Sequence, residues 1–482
     1  MTSTRRTWAL LTVALATFMT YLDNNIVNVA IPAIQRDLHL STARLEWVVS
    51  GYILAFAGLL LVGGRLADAY GRRRLFLIGL SVFTGASLLA GLSGSADLLI
   101  AARVLQGLGA ALVTPTTLAI ISASYPEPRE RATAVGIWSA VGALALAVGP
   151  LLGGLLSQHA SWPWIFVINV PVGVVTFGLA LWAIPESKAD RAHRLDIPGL
   201  SLSAISMVSL TWALIEGSSR GWTSEPILGA FAAAAVGFAS FLVVERRSSD
   251  AMVDVALFRN RVFSGGLVAL MLWAFGLFGI YFFTSLYLQN VLGFSPTMAG
   301  LAFVPMAAFM VVGAVASERI GHRIGEHRLV GPAMALMGVG IASVALLGAH
   351  AHFVDLMPSF AMIGIGGGLT TPLTASVLAV MPAQQAGVAS GLFNASRELA
   401  GLLGITIIGA VLSARQSTVV RAGSTPLHAF LSGYRLGLLV AAALVIGGAV
   451  TAFVALRRAR SSDVPDTYPD SALESVLSPA SL

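Results

Sequence analysis

The chain has 482 residues, of which 56% are hydrophobic and only 11% charged, and its mean hydropathy is +0.82. Soluble domains carry about 25% charged residues, so a single soluble domain is excluded. The net charge of +6 does not point to nucleic acid either, because the basic residues are 28 Arg against a single Lys, nearly all in short loops beside apolar runs, where membrane orientation accounts for them. There is no Cys, so a disulfide framework, a thiol nucleophile and Cys-ligated metal are all excluded.

Windows long enough to cross about 30 Å of hydrocarbon fall at 8–31, 47–66, 75–94, 98–122, 132–156, 163–184, 198–215, 226–244, 262–289, 299–317, 329–349, 357–380, 387–413 and 434–456. The first follows Arg5 and Arg6 like the start of a signal peptide. It runs past twenty residues with no clean small-residue cleavage site, and is expected to be a retained helix. Fourteen spans put both termini on one side. Of the 29 Lys and Arg, 21 fall on that side, 6 on the other and 2 deep within spans, which places both ends in the cytoplasm. The tail 457–482, rich in Ser, Pro and Asp, is expected to be disordered.

In the first span, Thr17, Thr20, Tyr21, Asp23, Asn24 and Asn28 fall within an arc of roughly 160° at 100° per residue, while the rest is apolar. Lipid does not tolerate that face, so it is expected to line protein or water. A carboxylate at mid-bilayer costs about 2.5 to 3.5 kcal/mol on insertion scales, which makes Asp23 a functional candidate by default. The other deep charges are Arg103 in the fourth span and Arg397 and Glu398 in the thirteenth. Counting along the helices at 1.5 Å per residue sets Asp23 and Arg103 at about 12 and 8 Å from the outer ends of their spans. Burial favours the protonated carboxyl, and an approaching Arg103 or cationic substrate favours the carboxylate, which is the switch an antiporter needs. Arg103 could equally be a structural partner for carbonyls or Gln106, and Arg397 and Glu398, with Asn394, either shape a substrate cavity or pair structurally.

The loop after the second span reads Gly64-Arg65-Leu66-Ala67-Asp68-Ala69-Tyr70-Gly71-Arg72-Arg73-Arg74. Its glycines let two helix ends approach closely, and Asp68 can pair with Arg residues or sit at a helix N-terminus, forming a latch on the cytoplasmic side. The plainer reading is that the arginines only anchor topology. In the fifth span Gly149-Pro150 removes a backbone hydrogen bond, and Gly153-Gly154 allows close packing, which serves either gating or packing alone. The chain also repeats weakly: Gly71 to Leu75 aligns with Gly325 to Leu329, Thr114-Pro115 with Thr371-Pro372, Pro126 with Pro382, and Gly136 with Gly391. Matched pairs hold the same place in each span-loop-span unit, which argues for two related six-helix halves with an extra pair between them. The expected domains are 1–184, an N-terminal six-helix bundle; 185–250, a linker and inserted helix pair; 251–456, a C-terminal six-helix bundle; and 457–482, the tail.

With its Gly and Asp spacing, the 64–74 loop resembles the loop signature of the major facilitator superfamily. Further stretches resemble that family's fourteen-helix drug:proton antiporter branch: Leu22 to Pro32 in the first helix, Arg103-Val104-Leu105-Gln106-Gly107-Leu108-Gly109 in the fourth, and Gly149-Pro150-Leu151-Leu152-Gly153-Gly154 in the fifth. Tyr287-Leu288-Gln289 with Gly293, Pro296 and Pro305, and Asn394-Ala395-Ser396-Arg397-Glu398-Leu399, resemble second-half signatures. Ala145 stands where the family often has Gly, and Pro163 where an Arg is usual. The resemblance implies an all-α integral membrane protein of the major facilitator fold, two six-helix bundles plus two inserted central helices. It implies proton coupling by Asp23 and Arg103, a substrate cavity drawing on Asn24, Asn28, Gln106, Gln289, Asn394, Arg397 and Glu398, and gating by Gly64, Asp68, Gly71, Arg72, Gly149 and Pro150.

Other signals carry less. Gly364-Ile365-Gly366-Gly367-Gly368 imitates a nucleotide loop but lies inside an apolar span with no preceding strand. His350 and His352 have no acidic cluster beside them, so no metal is expected. A Walker loop and a nucleophile elbow are both missing, so neither ATP-driven transport nor enzymatic hydrolysis is expected, and no cofactor. The expected function is export of a hydrophobic or amphiphilic drug or antibiotic against inward proton movement, by alternating access, at the cell inner membrane. The expected partners are the small-molecule substrate, protons and the lipid bilayer, not nucleic acid, with the chain a monomer. A proton-linked importer, or a non-transporting membrane sensor or scaffold, are the alternatives.

Overall fold

The computed structural model describes residues 3–188, 196–248, 258–379 and 386–457, so the disorder expected of the tail beyond 457 lies outside the described residues. Every element among the described residues is helical. The first half comprises α1 (Ser3–Leu38), α2 (Thr42–Tyr70), α3 (Arg72–Gly91), α4 (Ala96–Ser124), α5 (Pro128–His159), α6 (Trp164–Val167) and α7 (Asn169–Ala183). Then come α8 (Ile197–Arg220) and α9 (Glu225–Arg247). The second half holds α10 (Arg261–Leu286) with a π-helical turn at Tyr287–Val291, α11 (Pro296–Ile324), α12 (Glu326–Leu346), α13 (Phe353–Leu369), α14 (Pro372–Ala379), α15 (Ala386–Arg421) and α16 (Pro426–Arg457). Thirteen helical stretches among the described residues are long and apolar enough to cross a membrane. The remaining expected span, 132–156, falls inside α5, which is continuous over 32 residues despite Pro150. Two expected spans are interrupted: the sixth at Ile168, between α6 and α7, and the twelfth at Thr370-Thr371, where Pro372 opens α14.

Helix ends follow the local chemistry. Ser41, Ser95 and Ser295 cap α2, α4 and α11 by accepting from the backbone N–H three residues on, and Asn260 caps α10 from Val262 and Phe263. Between α2 and α3 the chain turns through Gly71 at φ 115°, a conformation that a side chain would strain. The Glu186 carboxylate, from the segment after α7, lies against that glycine and accepts from the N–H groups of Arg73 and Arg74, each at 3.1 Å. Those donors have no partner within their own helix, so a residue more than a hundred positions away satisfies the start of α3.

Packing explains the composition. Within the first half α2 and α3 pack on α4, and α1 packs on α5; in the second half α12 packs on α16 and α13, and α10 on α15 and α16. The two halves join chiefly through α5 against α11 and α2 against α15. α8 and α9 pack on one another, and α8 also touches α2 and α15. Val174, Val175 and Trp182 on α7, Val236 on α9, Val312 and Val315 on α11, and Val450 and Val454 on α16 are each more than half exposed. Apolar side chains facing outward on so many helices make a surface suited to lipid, and the helices satisfy their own backbone groups along their length.

Candidate functional site

Two sites lie close together, one sealed within the first half and one open between the halves. The sealed site forms where α1, α2, α3, α4 and α7 converge. Asp23 on α1 and Arg103 and Gln106 on α4 are all fully buried. Arg103 donates through Nη1 to Asp23 Oδ2 at 2.5 Å and to Gln106 Oε1 at 2.9 Å, and through Nε to the Val48 carbonyl at 3.0 Å. Asp23 Oδ1 accepts from Gln106 Nε2 at 3.0 Å and from Asn169 Nδ2 at 2.8 Å, while Gln106 also donates to Ser87 Oγ at 2.8 Å. The guanidinium lies 4.4 Å from the Tyr52 ring centroid and 5.7 Å from that of Phe166. Every partner of the carboxyl is a donor, which suits its ionised form. Arg103 Nη2 is buried without a hydrogen bond.

The second site is a cavity between the halves, holding about 840 Å³ of atom-free space including its opening to solvent. α1 contributes Thr20, Tyr21, Asn24, Asn25 and Asn28; α2 contributes Val49, Tyr52, Ile53 and Phe56. Facing them are Trp273, Leu277, Phe278 and Tyr281 on α10, Met310 on α11, and Arg397, Glu398 and Ile405 on α15. The wall is mainly aromatic and aliphatic with a few polar groups, the usual make-up of an organic-ligand pocket. Arg397 donates to Glu398 Oε1 through Nη2 at 2.7 Å and Nε at 3.2 Å. Three polar atoms on lining residues are buried without a partner: Asn24 Oδ1, Trp273 Nε1 and Glu398 Oε2. Unmet donors and acceptors at a cavity are the groups that a ligand or water would satisfy.

The expected site residues divide among several places. Asn24, Asn28, Arg397 and Glu398 line the cavity, whereas Asp23 does not: Tyr52, which lines the cavity and stacks on Arg103, stands between. Gln106, expected at the cavity, is instead part of the Asp23 cluster, because its position three residues after Arg103 turns it to the same buried face of α4. Gln289 lies away from the cavity at the seam, where its Nε2 donates to the Val29 carbonyl of α1 at 2.8 Å. Asn394 sits one turn before Glu398 on α15 and does not line the wall. Pro150 sits at the seam between halves, while Gly149 packs on α1 within the first half. A Cβ on Gly149 would come within 2.8 Å of Asn25 Cβ, and Cβ atoms on Gly154 and Gly300 would come within 2.3 Å of the carbonyls of Pro296 and Pro150. Thr297 N donates to Gln158 Oε1 at 3.1 Å across the same seam.

At the other end of the molecule, Gly64 packs toward Pro115 of α4, and Asp68 accepts from Arg72 at 3.1 Å, so among the described residues the Asp68 pair closes within one half. Sequence reasoning missed four contributors: Asn169, Ser87 and Tyr52 around the charged pair, and Glu186 at α3. Asn169 and Ser87 are polar residues inside apolar spans, a signal present in the sequence. Nothing local marks Tyr52 or Glu186.

A family model of the Major Facilitator Superfamily matches residues 13–405. Multidrug resistance protein Stp of Mycobacterium tuberculosis is 38% identical over 411 residues, 84% of this chain and 75% of that one. The tetracenomycin C resistance and export protein of Streptomyces glaucescens is 37% identical over 417 residues (86% and 77%), and the puromycin resistance protein pur8 of Streptomyces alboniger is 34% identical over 449 (92% and 89%). Among solved structures, an inward-facing, unoccupied bacterial homolog of the human lysosomal transporter Spinster aligns over 95% of this chain and 98% of its own, with TM-score 0.66 at 17% identity. An auto-inhibited POT family peptide transporter aligns over 96% and 98%, with TM-score 0.68 at 17% identity. Fold and sequence agree on an all-helical membrane transporter of small molecules. The chain belongs to the Major Facilitator Superfamily.

Proposed function

We propose that this protein exports hydrophobic or amphiphilic drugs, antibiotics among them, in exchange for protons moving inward. The observation that carries the reading is the fully buried Asp23–Arg103 pair behind the wall of an aromatic cavity. A charged pair sealed in a low-dielectric interior is retained at a cost in desolvation, and a well-packed apolar pair would serve stability as well or better. Its retention suits a role in which the carboxyl changes protonation state. The relatives' names, with their resistance and export activities, support the drug class.

In the scheme, the six-helix halves are 1–184 and 251–456, with the pair in 185–250 between them, both termini are cytoplasmic, and the membrane is the inner one. The end away from the termini, where α5 meets α11 and Gln289 meets α1, is then the outer end, closed in this state. A drug enters from the cytoplasm and settles among Tyr21, Trp273, Phe278 and Tyr281, with Asn24 and Glu398 offering acceptors to an ammonium or hydroxyl group. Tyr52 touches both sites, so filling the cavity shifts the ring that lies over Arg103. When the outer end opens, Asp23 takes a proton and its pairing with Arg103 weakens; when the cavity faces inward again, Arg103 recaptures the carboxylate and the proton leaves to the cytoplasm. Gly149 and Pro150 provide the seam that opens and closes. Gly64, Asp68, Gly71 and Arg72 form its counterpart on the cytoplasmic side.

The test is drug-driven proton movement in inverted vesicles with a preformed gradient. Puromycin or a lipophilic cation should dissipate the gradient in vesicles holding the parent protein, and Asp23→Asn should abolish that response at equal expression. A mutant that responds like the parent removes Asp23 from coupling.

A further inference from the structure

Resting on the proton-driven export just set out, we propose that Glu46 is a second proton-binding carboxyl, one that locks the outer seal when neutral and releases it when ionised. Glu46 lies in the first turns of α2 and is 3% exposed. It sits three residues before Val49 and seven before Ile53, so it continues the cavity-lining face of α2 about 4.5 Å beyond the wall. Opposite, Gly409 lies four residues past the cavity residue Ile405 on α15. The carboxyl is pressed against this glycine: a Cβ there would come within 2.1 Å of Glu46 Oε1 and 2.8 Å of Oε2. The group therefore plugs the joint between α2 and α15, one of the two main contacts between the halves.

Among the described residues no charge compensates it. On α2 itself Arg44 is held by Asp97 of α4 at 2.7 Å in an exposed pair. On α15, Arg415 donates to Ser432, and Arg397 and Glu398 hold one another about three turns away. From α1, Asp37 accepts from the Trp162 indole, and Arg36 and His39 are exposed. Arg103 of α4 is taken by Asp23; α3 has ionisable residues only at its far end, Arg72 to Arg74; Glu216 and Arg220 of α8 pair together. None of these forms a hydrogen bond or ion pair with Glu46 among the described residues. A lone carboxylate buried this way is strongly disfavoured, so the closed seam selects the protonated acid, whereas an open seam exposes it to water and lets it ionise. At this group the closed state binds one proton more, so Glu46 favours closure at low pH and ceases to do so as pH rises. A proton taken from the acidic outer side would thus be needed to shut the outer seal and return the cavity to the cytoplasm.

The sequence has no Cys, so a spin-label pair can be placed uniquely at exposed positions flanking the seam, by His159→Cys on α5 and Met298→Cys on α11. Both labels are placed in an Asp23→Asn background, the parent for this measurement, because Asp23 takes its proton in the outward-open form and its titration would oppose the one read at Glu46. The distance is read by pulsed electron resonance on the full chain in lipid nanodiscs, without drug, between about pH 5 and pH 9. In the parent, the closed-to-open ratio should fall by up to about tenfold per pH unit through one transition. Glu46→Gln should stay closed across the range, while Glu46→Asp should still titrate. Gly409→Ala, whose methyl displaces the carboxyl, should favour the open form at every pH. A Glu46→Gln protein that titrates like the parent, a parent that does not respond to pH, or a Gly409→Ala protein as closed as the parent overturns the proposal. No drug enters this measurement, so its failure stands apart from failure of the export reading, which is seen in drug-driven proton flux with Asp23→Asn.

Discussion

At Asp23 the balance is between desolvation and three donors. Removing only the cation should be the most damaging single change, because it leaves a buried carboxylate with two amides for company. Arg103→Met is expected to destabilise the protein by about 3 to 5 kcal/mol, and adding Asp23→Asn should recover most of that loss. Thermal unfolding in detergent of the two single mutants and the double mutant reads the coupling; strict additivity would show that the pair is not a unit. Tyr52 is the neighbouring test. Its ring covers Arg103 at 4.4 Å while its edge meets the cavity. A desolvated cation–π contact is worth about 2 kcal/mol, so Tyr52→Leu should weaken proton coupling to drug more than Tyr52→Phe, measured as protons moved per drug exported. Equal behaviour of the two substitutions would place the cavity-to-pair link elsewhere.

Among the helices, the seam of α5 and α11 is where backbone meets backbone. Gly154 faces the Pro296 carbonyl and Gly300 the Pro150 carbonyl, with no room for a side chain at either. Gly300→Val should prevent the outer end from closing and abolish drug export with little loss of expression, as read by a resistance assay beside an immunoblot. Full resistance from this variant would show that the seam need not close this tightly. The Gly149-Pro150 stretch and the helix spans were legible because helix-breaking residues and twenty-residue apolar runs announce themselves locally. The breaks in the sixth and twelfth spans were less so, since apolar composition runs through them. The depth count for Asp23 and Arg103 set them at similar levels, yet gave no sign that the pair lies behind the cavity wall. Facing depends on how α1 and α4 rotate against α2, a property of packing and not of either segment. Gln106 illustrates the same limit: the sequence offered it both as a cavity residue and as a partner for Arg103, and only the fold decides for the charged cluster. Glu46 stands just before an apolar run with no local signal to single it out; its place against Gly409 is a property of how α2 packs on α15.

For the whole molecule, the arrangement is a cavity shared by two halves, closed at the end away from the termini, with the Arg397–Glu398 pair on its wall and the sealed Asp23–Arg103 pair behind it. Exchange requires that proton and drug move in opposite senses and that neither moves freely alone. The most direct measurement uses purified protein in proteoliposomes with a pH-sensitive dye inside and a drug gradient imposed across the membrane. Drug leaving the vesicle should bring protons in, drug entering should drive them out, and both movements should vanish in Asp23→Asn while drug binding persists. Drug flux with no proton movement, or proton flux in the same direction as the drug, would contradict antiport through this carboxyl.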